Sequence, residues 1–275
     1  MGKKYKKKQS TLIDIIIPVM NRFDLLEKCL DALPDALRPH PYKVYIFDNN
    51  SERVVANDFY AGRDLDVTRS MQNIGFPQAC NRAFRKGTSP LAFFLNSDVV
   101  LEPDSIDKMV RIMDYPDVGV CGMKLVFPSH EEMIDAKIDM SIRPARKLQH
   151  IGLVVNIRAQ IIHAFMGWDA DHPKVNAVSD IWAVTGAALM TRRNLFRQVG
   201  MFDEIYGIGT FDDCDLCMKI RELGYNIKVA PNAVGIHYTG ATAEQHKIGY
   251  PLQENYQKFL LRWRSKMKQT DIEVL

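Results

Sequence analysis

The stretch LIDIIIPVMNRFDLLEKCLDALPDAL, residues 12–37, decides the fold. Residues 12–19 are apolar except for Asp14 and carry a run of isoleucines, so they read as a short buried strand. Met20, Asn21 and Arg22 break that run, and residues 25–37 then follow an amphipathic helical pattern. The strand–loop–helix unit recurs outward. Strands are expected over 44–47, 67–71, 91–95 and 118–123, with helices over 77–86 and 103–115. Strands alternating with helices predict an α/β fold, a doubly wound and mostly parallel sheet covered on both faces.

Further along, the pattern weakens between 127 and 180, where only short strands at 151–156 and 161–165 are expected and no helix is evident. Regular signals return at 181–190, followed by a short helix at 194–199 and an acid-rich helix at 211–223. Short strands at 226–229 and 233–237 come next, and an amphipathic helix at 244–268 carries Tyr256, Phe259, Leu260 and Trp263 on one face. The chain is expected to divide into a basic tail (1–10), two halves of one domain (11–125 and 126–240) and a C-terminal basic amphipathic helix (241–275).

The 275 residues are 47% hydrophobic, enough for a sizeable core, which excludes disorder, collagen and a disulfide scaffold. Lys3, Lys4, Lys6, Lys7 and Lys8 crowd one end, and Lys258, Arg262, Arg264, Lys266 and Lys268 the other. Taking those ten from the formal net charge of +3 leaves −7, so the body is acidic between two basic ends. Asp14 and Pro18 spoil a signal-peptide reading, and Lys6 spoils a myristoylation motif. No apolar run approaches the roughly 18–20 residues that span a bilayer, so a cytoplasmic protein, at most peripheral to a membrane, is expected. Cys29, Cys80, Cys121, Cys214 and Cys217 are an odd, scattered set; Cys214 and Cys217 have metal-site spacing but no second pair, so reduced thiols are expected.

Asn21, Asp48, Asn73 and Asp98 all fall at the carboxyl ends of expected strands, where open α/β sheets bind ligands. Turn chemistry accounts for any one of them, but poorly for all four. In Asn96-Ser97-Asp98 a carboxylate after a dry strand can hold Mg²⁺ or Mn²⁺ against a diphosphate. Asp212, Asp213 and Asp215 crowd one helix start. The helix dipole explains one or two of them, and the cluster suggests a general base kept ionised. Gly207 and Gly209 lack the third glycine and the βαβ setting of a dinucleotide loop. His237 follows a short strand and could return to the same site.

The blocks IDIIIPVMNR (13–22), YIFDNNS (45–51), QNIGFPQACNRA (72–83), FFLNSDVVLEP (93–103) and the long run 184–238 resemble a family 2 glycosyltransferase of the GT-A fold. The resemblance covers residues 12–238 and is to single-addition members of the rhamnosyltransferase or galactosyltransferase kind. It implies inverting transfer from a nucleotide-diphosphate sugar, UDP- or dTDP-linked, with a divalent metal, Mn²⁺ or Mg²⁺. It further implies that Pro18, Asn21, Asp48 and Asn73 line the nucleotide pocket and that Ser97 and Asp98 stand in the metal motif. By the same resemblance, His237 is expected to complete metal or diphosphate binding, Asp213 to be the base with Asp212 before it and Asp215 the next candidate, and Trp182, Thr185 and Gly186 to shape the sugar and acceptor pocket. The first metal-motif position is Asn96 instead of Asp.

Processive members carry Gln-x-x-Arg-Trp, whereas Gln257 stands five residues before Arg262, so single addition is expected. A sugar nucleotidyltransferase would need a glycine-rich basic loop where Met20, Asn21 and Arg22 stand. The acceptor is expected to be a glycan, a lipid-linked saccharide or a hydroxylated DNA base. The basic ends admit a polyanionic partner, DNA or an anionic membrane surface, and equally a solubilising tail or a plain binding module.

Overall fold

A computed structural model describes residues 12–51, 65–139, 141, 143–156, 158, 160–177, 181–241 and 249–267. The five N-terminal lysines, Lys268 and the first residues of the expected C-terminal helix lie outside that set.

The described strands form a nine-stranded sheet in the order β3 (Leu65–Ser70), β2 (Tyr42–Asn49), β1 (Ile13–Val19), β4 (Leu91–Leu95), β10 (Ala188–Arg192), β6 (Val118–Val126), β11 (Asn226–His237), β5 (Val99–Leu101), with β7 (Leu148–His150) beside β6. Its centre is β1, parallel to both β2 and β4; β3 adds in parallel to β2. Successive side chains on these strands point to opposite faces. Ile15, Ile17 and Phe93 therefore join one buried cluster with helix α1 (Phe23–Leu37) and α3 (Ser105–Met113), while Ile16 and Phe94 join another. The second cluster is roofed by α2 (Phe76–Phe84), α6 (Arg193–Gln198), α7 (Asp212–Glu222) and α8 (Leu252–Trp263). Both faces are covered, as the unbroken apolar strands require.

Three strands run against the rest. β10 sits antiparallel between β4 and β6, β5 is antiparallel to β11, and β7 to β6. The sheet is mostly, not wholly, parallel. The antiparallel β10 has a consequence for the site. The chain returns from residues 127–187 at the carboxyl edge of the parallel strands, so the start of β10 joins that edge.

Other expectations also shift. The two strands expected at 226–229 and 233–237 are one strand, β11, parallel to β6 with a bulge between Ala230 and Val234. The stretch at 181–190 is a strand only from Ala188. The region taken as lacking helices holds α4 (His130–Asp135) and a single turn, α5 (Pro173–Asn176), besides the hairpin of β8 (Leu153–Val155) and β9 (Ile161–His163). A capping box fixes α4: Ser129 Oγ accepts from Glu132 N–H, and the Glu132 carboxylate accepts from Ser129 N–H.

One ion pair is sealed in the core. Asp14, 1% exposed, accepts from the Arg193 guanidinium and from both the backbone N–H and the hydroxyl of Ser89. Each carboxylate oxygen is thereby satisfied, as burial of a charge demands. All five cysteines are buried free thiols. No helix among the described residues is long and apolar enough to cross a membrane.

Candidate active site

A cavity of about 390 Å³ opens at the carboxyl edge of the sheet. Six residues expected at the site line it: Pro18, Asn73, Ser97, Asp98, Thr185 and His237. They arrive from the ends of β1, β4 and β11, the loop after β3, and the loop into β10.

The β1 and β2 ends are tied together beneath the cavity. Asn21 and Arg22 both take left-handed backbone (φ 58° and 50°), turning the chain sharply into α1. The Asn21 N–H donates to Ser51 Oγ at 2.9 Å, and Ser51 N–H donates to Asp48 Oδ1 at 2.8 Å. Asp48 is buried, with Arg69 Nε 3.9 Å from its other oxygen. Neither Asn21 nor Asp48 is a lining residue. Asn49, which sequence reasoning passed over, does line the cavity. Its amide donates to Asn73 Oδ1 at 2.8 Å and accepts from Ile74 N–H at 2.9 Å, clamping the loop after β3 to the end of β2.

Asp98 and His237 meet. His237 Nε2 lies 3.4 Å from Asp98 Oδ1, and the Tyr238 N–H donates to the Asp98 carbonyl at 3.0 Å. Behind the imidazole, Nδ1 sits 2.9 Å from Gln149 Oε1, and the Gln149 amide donates to Thr239 Oγ1 at 2.8 Å. With its proton on Nδ1 toward Gln149, the imidazole has Nε2 free to ligate a cation beside Asp98. Asn96 supplies a third atom: its Oδ1 is buried, has no hydrogen-bond partner, and belongs to a lining residue. Among the described residues no three His, Cys, Asp or Glu side chains converge on a metal position. The donors here are one carboxylate, one imidazole nitrogen and one orphaned amide oxygen. That set fits a hard divalent cation which takes its remaining ligands from phosphate and water.

None of the acidic cluster, Asp212, Asp213 or Asp215, is a lining residue. Asp213 accepts from Gly186 N–H at 2.9 Å and from Cys214 N–H at 2.8 Å, which ties it to the residue after the lining Thr185. Burial raises its pKa and outweighs the lowering by those two donors. Asp212, 3% exposed, is pushed well above the carboxylate range by burial and then by the Asp213 charge. The helix start was expected to favour the ionised form; desolvation dominates instead. Asp215 lies elsewhere, fully buried: its Oδ1 accepts from Arg262 Nη1 at 2.7 Å and Trp263 Nε1 at 2.8 Å, and Lys219 Nζ is 2.8 Å from Oδ2.

Gly186 packs between Phe76 and Asp213, where an added Cβ would meet the Phe76 ring at 3.2 Å. Trp182 is buried below, with the Arg221 guanidinium 5.9 Å over its ring, and is not a lining residue. The Thr185 N–H donates to His150 Nε2 at 3.2 Å, and His150 Nδ1 lies 2.9 Å from His163 Nδ1. Because His150 Nε2 accepts, its proton is on Nδ1 and His163 Nδ1 must accept it. Burial holds the His150 pKa well down and brings His163 down to about 4, so the pair is neutral.

The profile of glycosyl transferase family 2 matches residues 14–166, over half the chain, including the β1, β2 and β4 ends just described. The chain belongs to that family. The O-antigen biosynthesis protein RfbC of Myxococcus xanthus is 25% identical over 257 residues, 89% of this glycosyltransferase and 19% of RfbC. The chain spans a quarter or less of the length of the first relatives it matches. The fold is shared with GalNAc-T7, solved with UDP, GalNAc and Mn²⁺ (TM-score 0.69, 11% identity, 94% of this chain and 49% of that one). It is also shared with the mannosyltransferase PcManGT of Pyrobaculum calidifontis, solved with GDP-Man and Mn²⁺ (TM-score 0.57, 16% identity, 92% and 71%). The family 2 transferase thus has the GT-A fold. The helix-bearing half with Asp212, Asp213 and His237 lies beyond the matched profile.

Proposed function

We propose that this chain moves a sugar, with inversion, from a UDP- or dTDP-linked donor to a hydroxyl of a glycan or lipid-linked saccharide. The observation that carries this reading is the meeting of Asp98 and His237 in a cavity that Asn96 also lines, with the Asp213 carboxylate bound to Gly186, the residue after the lining Thr185. Pro18, Asn49 and Asn73 form the wall for the nucleotide, held from beneath by Asp48, Ser51 and Asn21. Asp98, His237 and Asn96 would hold a divalent cation. When bound, that cation offsets the negative charge that gathers on the departing diphosphate. Asp213 takes the proton of the acceptor hydroxyl as its oxygen attacks the anomeric carbon. Its raised pKa makes it a stronger base than an ordinary carboxylate, and two N–H donors fix its direction. Thr185 and Gly186 border the position of the transferred sugar. Mn²⁺ and nucleotide sugars in the solved relatives support the donor class.

The basic ends contribute less to acceptor choice than their charge count suggests. Lys258 pairs with Glu254, Arg262 with Asp203 and Asp215, and Lys266 with Glu222. A polyanionic acceptor would therefore depend on the N-terminal lysines, with Arg264 and Lys268 at the other end. Retention on DNA and on anionic vesicles, with and without residues 1–10, tests that point.

The decisive experiment screens nucleotide sugars with Mn²⁺ by thermal shift, where a donor at 100 times its Kd adds about 2.7 kcal/mol. Asp213→Asn is expected to keep that shift and lose transfer, and chelator is expected to abolish turnover until Mn²⁺ or Mg²⁺ is restored. Normal turnover by Asp213→Asn would overturn the base, and full activity in chelator the cation.

A further inference from the structure

The loop between Tyr206 and Asp212 has an unusual backbone. Gly207, Gly209, Thr210 and Phe211 all have positive φ (58°, 135°, 82° and 62°), and two of them are not glycine. L-residues with side chains avoid this region, so such a loop persists only where its surroundings over-determine it. It is also a functional stretch: Ile208 and Thr210 line the cavity, and Phe211 leads directly into Asp212 and Asp213.

Its restraint comes from α8. Asn255 is fully buried, and its amide nitrogen donates to the carbonyls of Tyr206 at 2.8 Å and Gly209 at 2.7 Å, with Thr210 Oγ1 at 3.2 Å. The Lys258 ammonium donates to the other side of that amide at 3.1 Å, fixing which atom faces the loop, and also to the Ile205 carbonyl at 2.9 Å. One turn on, the Phe259 ring packs 5.7 Å from Phe211, with Tyr256 5.2 Å away on the other contact. On its far side the loop meets α2, where Phe76 N–H donates to the Ile208 carbonyl at 3.1 Å. Helix α8 lies outside the matched family profile.

We infer that Asn255 is a positioning residue for the transfer reaction. Its amide holds loop 207–211 in the left-handed conformation and so seats Asp213 against Gly186. The loop's carbonyls turn inward, where water cannot satisfy them, and a side chain presenting two N–H donors at one point answers the need. An apolar side chain of similar volume takes that donor from the Gly209 carbonyl and leaves the Tyr206 carbonyl with the Gly209 N–H alone, while keeping the packing. The inference rests on the proposed transfer, since the seat of Asp213 matters only if Asp213 is the base.

The test uses the full chain as wild type, Asn255→Leu and the gentler Asn255→Ser, with UDP-glucose, UDP-N-acetylglucosamine, dTDP-rhamnose and GDP-mannose as probes in Mn²⁺. Donor affinity is read by calorimetry, and turnover by release of nucleoside diphosphate with water as acceptor. Amide exchange is followed at Gly209 and Phe76. Water then replaces the acceptor hydroxyl: its oxygen bonds to the anomeric carbon, its proton passes to Asp213, and the bond to the diphosphate breaks. For Asn255→Leu we expect donor Kd within threefold of wild type, kcat at least tenfold lower and faster exchange at both amides. Asn255→Ser should fall between, and it decides the matter if the leucine variant does not fold. Trp263→Phe, which removes a bond from α8 to Asp215 without touching the loop, should lose thermal midpoint but keep kcat within twofold. Wild-type kcat in a folded Asn255 variant, or an equal loss of kcat in Trp263→Phe, overturns the inference. Should the wild type neither bind nor turn over any donor, the transfer reading fails by itself, and unchanged exchange at Gly209 and Phe76 would then also reject the clamp.

Discussion

Gln149 Oε1 lies 2.9 Å from Nδ1 of His237, and the same side chain donates its amide hydrogen to Thr239 Oγ1. One buried glutamine on β7 therefore holds both a histidine on β11 and the hydroxyl two residues after it. Partners of this kind govern ligand basicity and are worth 10–100-fold in metal affinity. Gln149→Leu should lower Mn²⁺ affinity by about that factor, read by electron paramagnetic resonance titration. Unchanged affinity would mean that His237 is held by something else.

The Asp212 and Asp213 carboxylates titrate together, and burial raises both. The acid limb of turnover should accordingly lie above the ordinary aspartate range, near 3.9. Asp212 is the more strongly raised of the two and stays protonated where Asp213 titrates, so Asp212→Asn should leave that limb in place. A raised folded pKa also has a stability cost. Its contribution is complete below the unfolded value and is lost as pH rises through the folded one. Asp212→Asn should then raise the thermal midpoint at pH 7–8, and a fall there would contradict the desolvation argument.

The His150–His163 pair predicts the opposite slope. Both pKa values are depressed, His163 to about 4, so the unfolded chain binds more protons between about 6.5 and 4. Stability from the pair is present above about 6.5 and lost as pH falls toward 4. Scanning the unfolding midpoint against pH should show this fall, with a shallower one in His163→Gln. Identical slopes would remove the pair from the balance.

Gly75 meets Gly207 backbone to backbone. Its φ is +83°, and a Cβ there would come within 1.9 Å of the Gly207 carbonyl oxygen. Gly75→Ala must separate α2 from the 207–211 loop, beyond the 1–3 kcal/mol strain of its own backbone. We expect a clear loss of thermal midpoint together with loss of turnover. A variant as stable and active as wild type would show that the two loops need not touch.

The buried Asp14–Arg193 pair sits at the opposite end of β1 from the site. Arg193→Met leaves a carboxylate in the core with only Ser89 for company and should cost about 3–5 kcal/mol in denaturant unfolding. Loss below 1 kcal/mol would place the pair among surface-like bridges.

Much of this was legible along the chain. Apolar runs such as 12–19 and 91–95 disclosed the central strands, because a strand buried on both faces admits a polar residue only where it is paired, as Asp14 is. Asn21, Asp48, Asn73 and Asp98 marked the working edge, because ligands sit at the carboxyl ends of such strands. Strand β5, at Val99–Leu101, was passed over because three residues show no period, and α4 despite its Ser129–Glu132 capping box. The bulge in β11 looked like a boundary, since Pro231 and Asn232 read as a turn.

The sequence by itself determined the layered α/β architecture, the family and the residue types at the strand ends, since these follow from local periodicity and short-range chemistry. Only the tertiary structure decided partnership. Asp215 and Asp213 stand two residues apart on one helix, yet one is bound by Arg262 and Trp263 from α8 and the other by the N–H of Gly186. Gln149, His150 and Asn255 carry no local signature, because each acts on a group brought near by the antiparallel return of the chain or the docking of α8. Hydrogen bonds reach about 3 Å in space without regard to sequence separation, and that is what a linear pattern does not record.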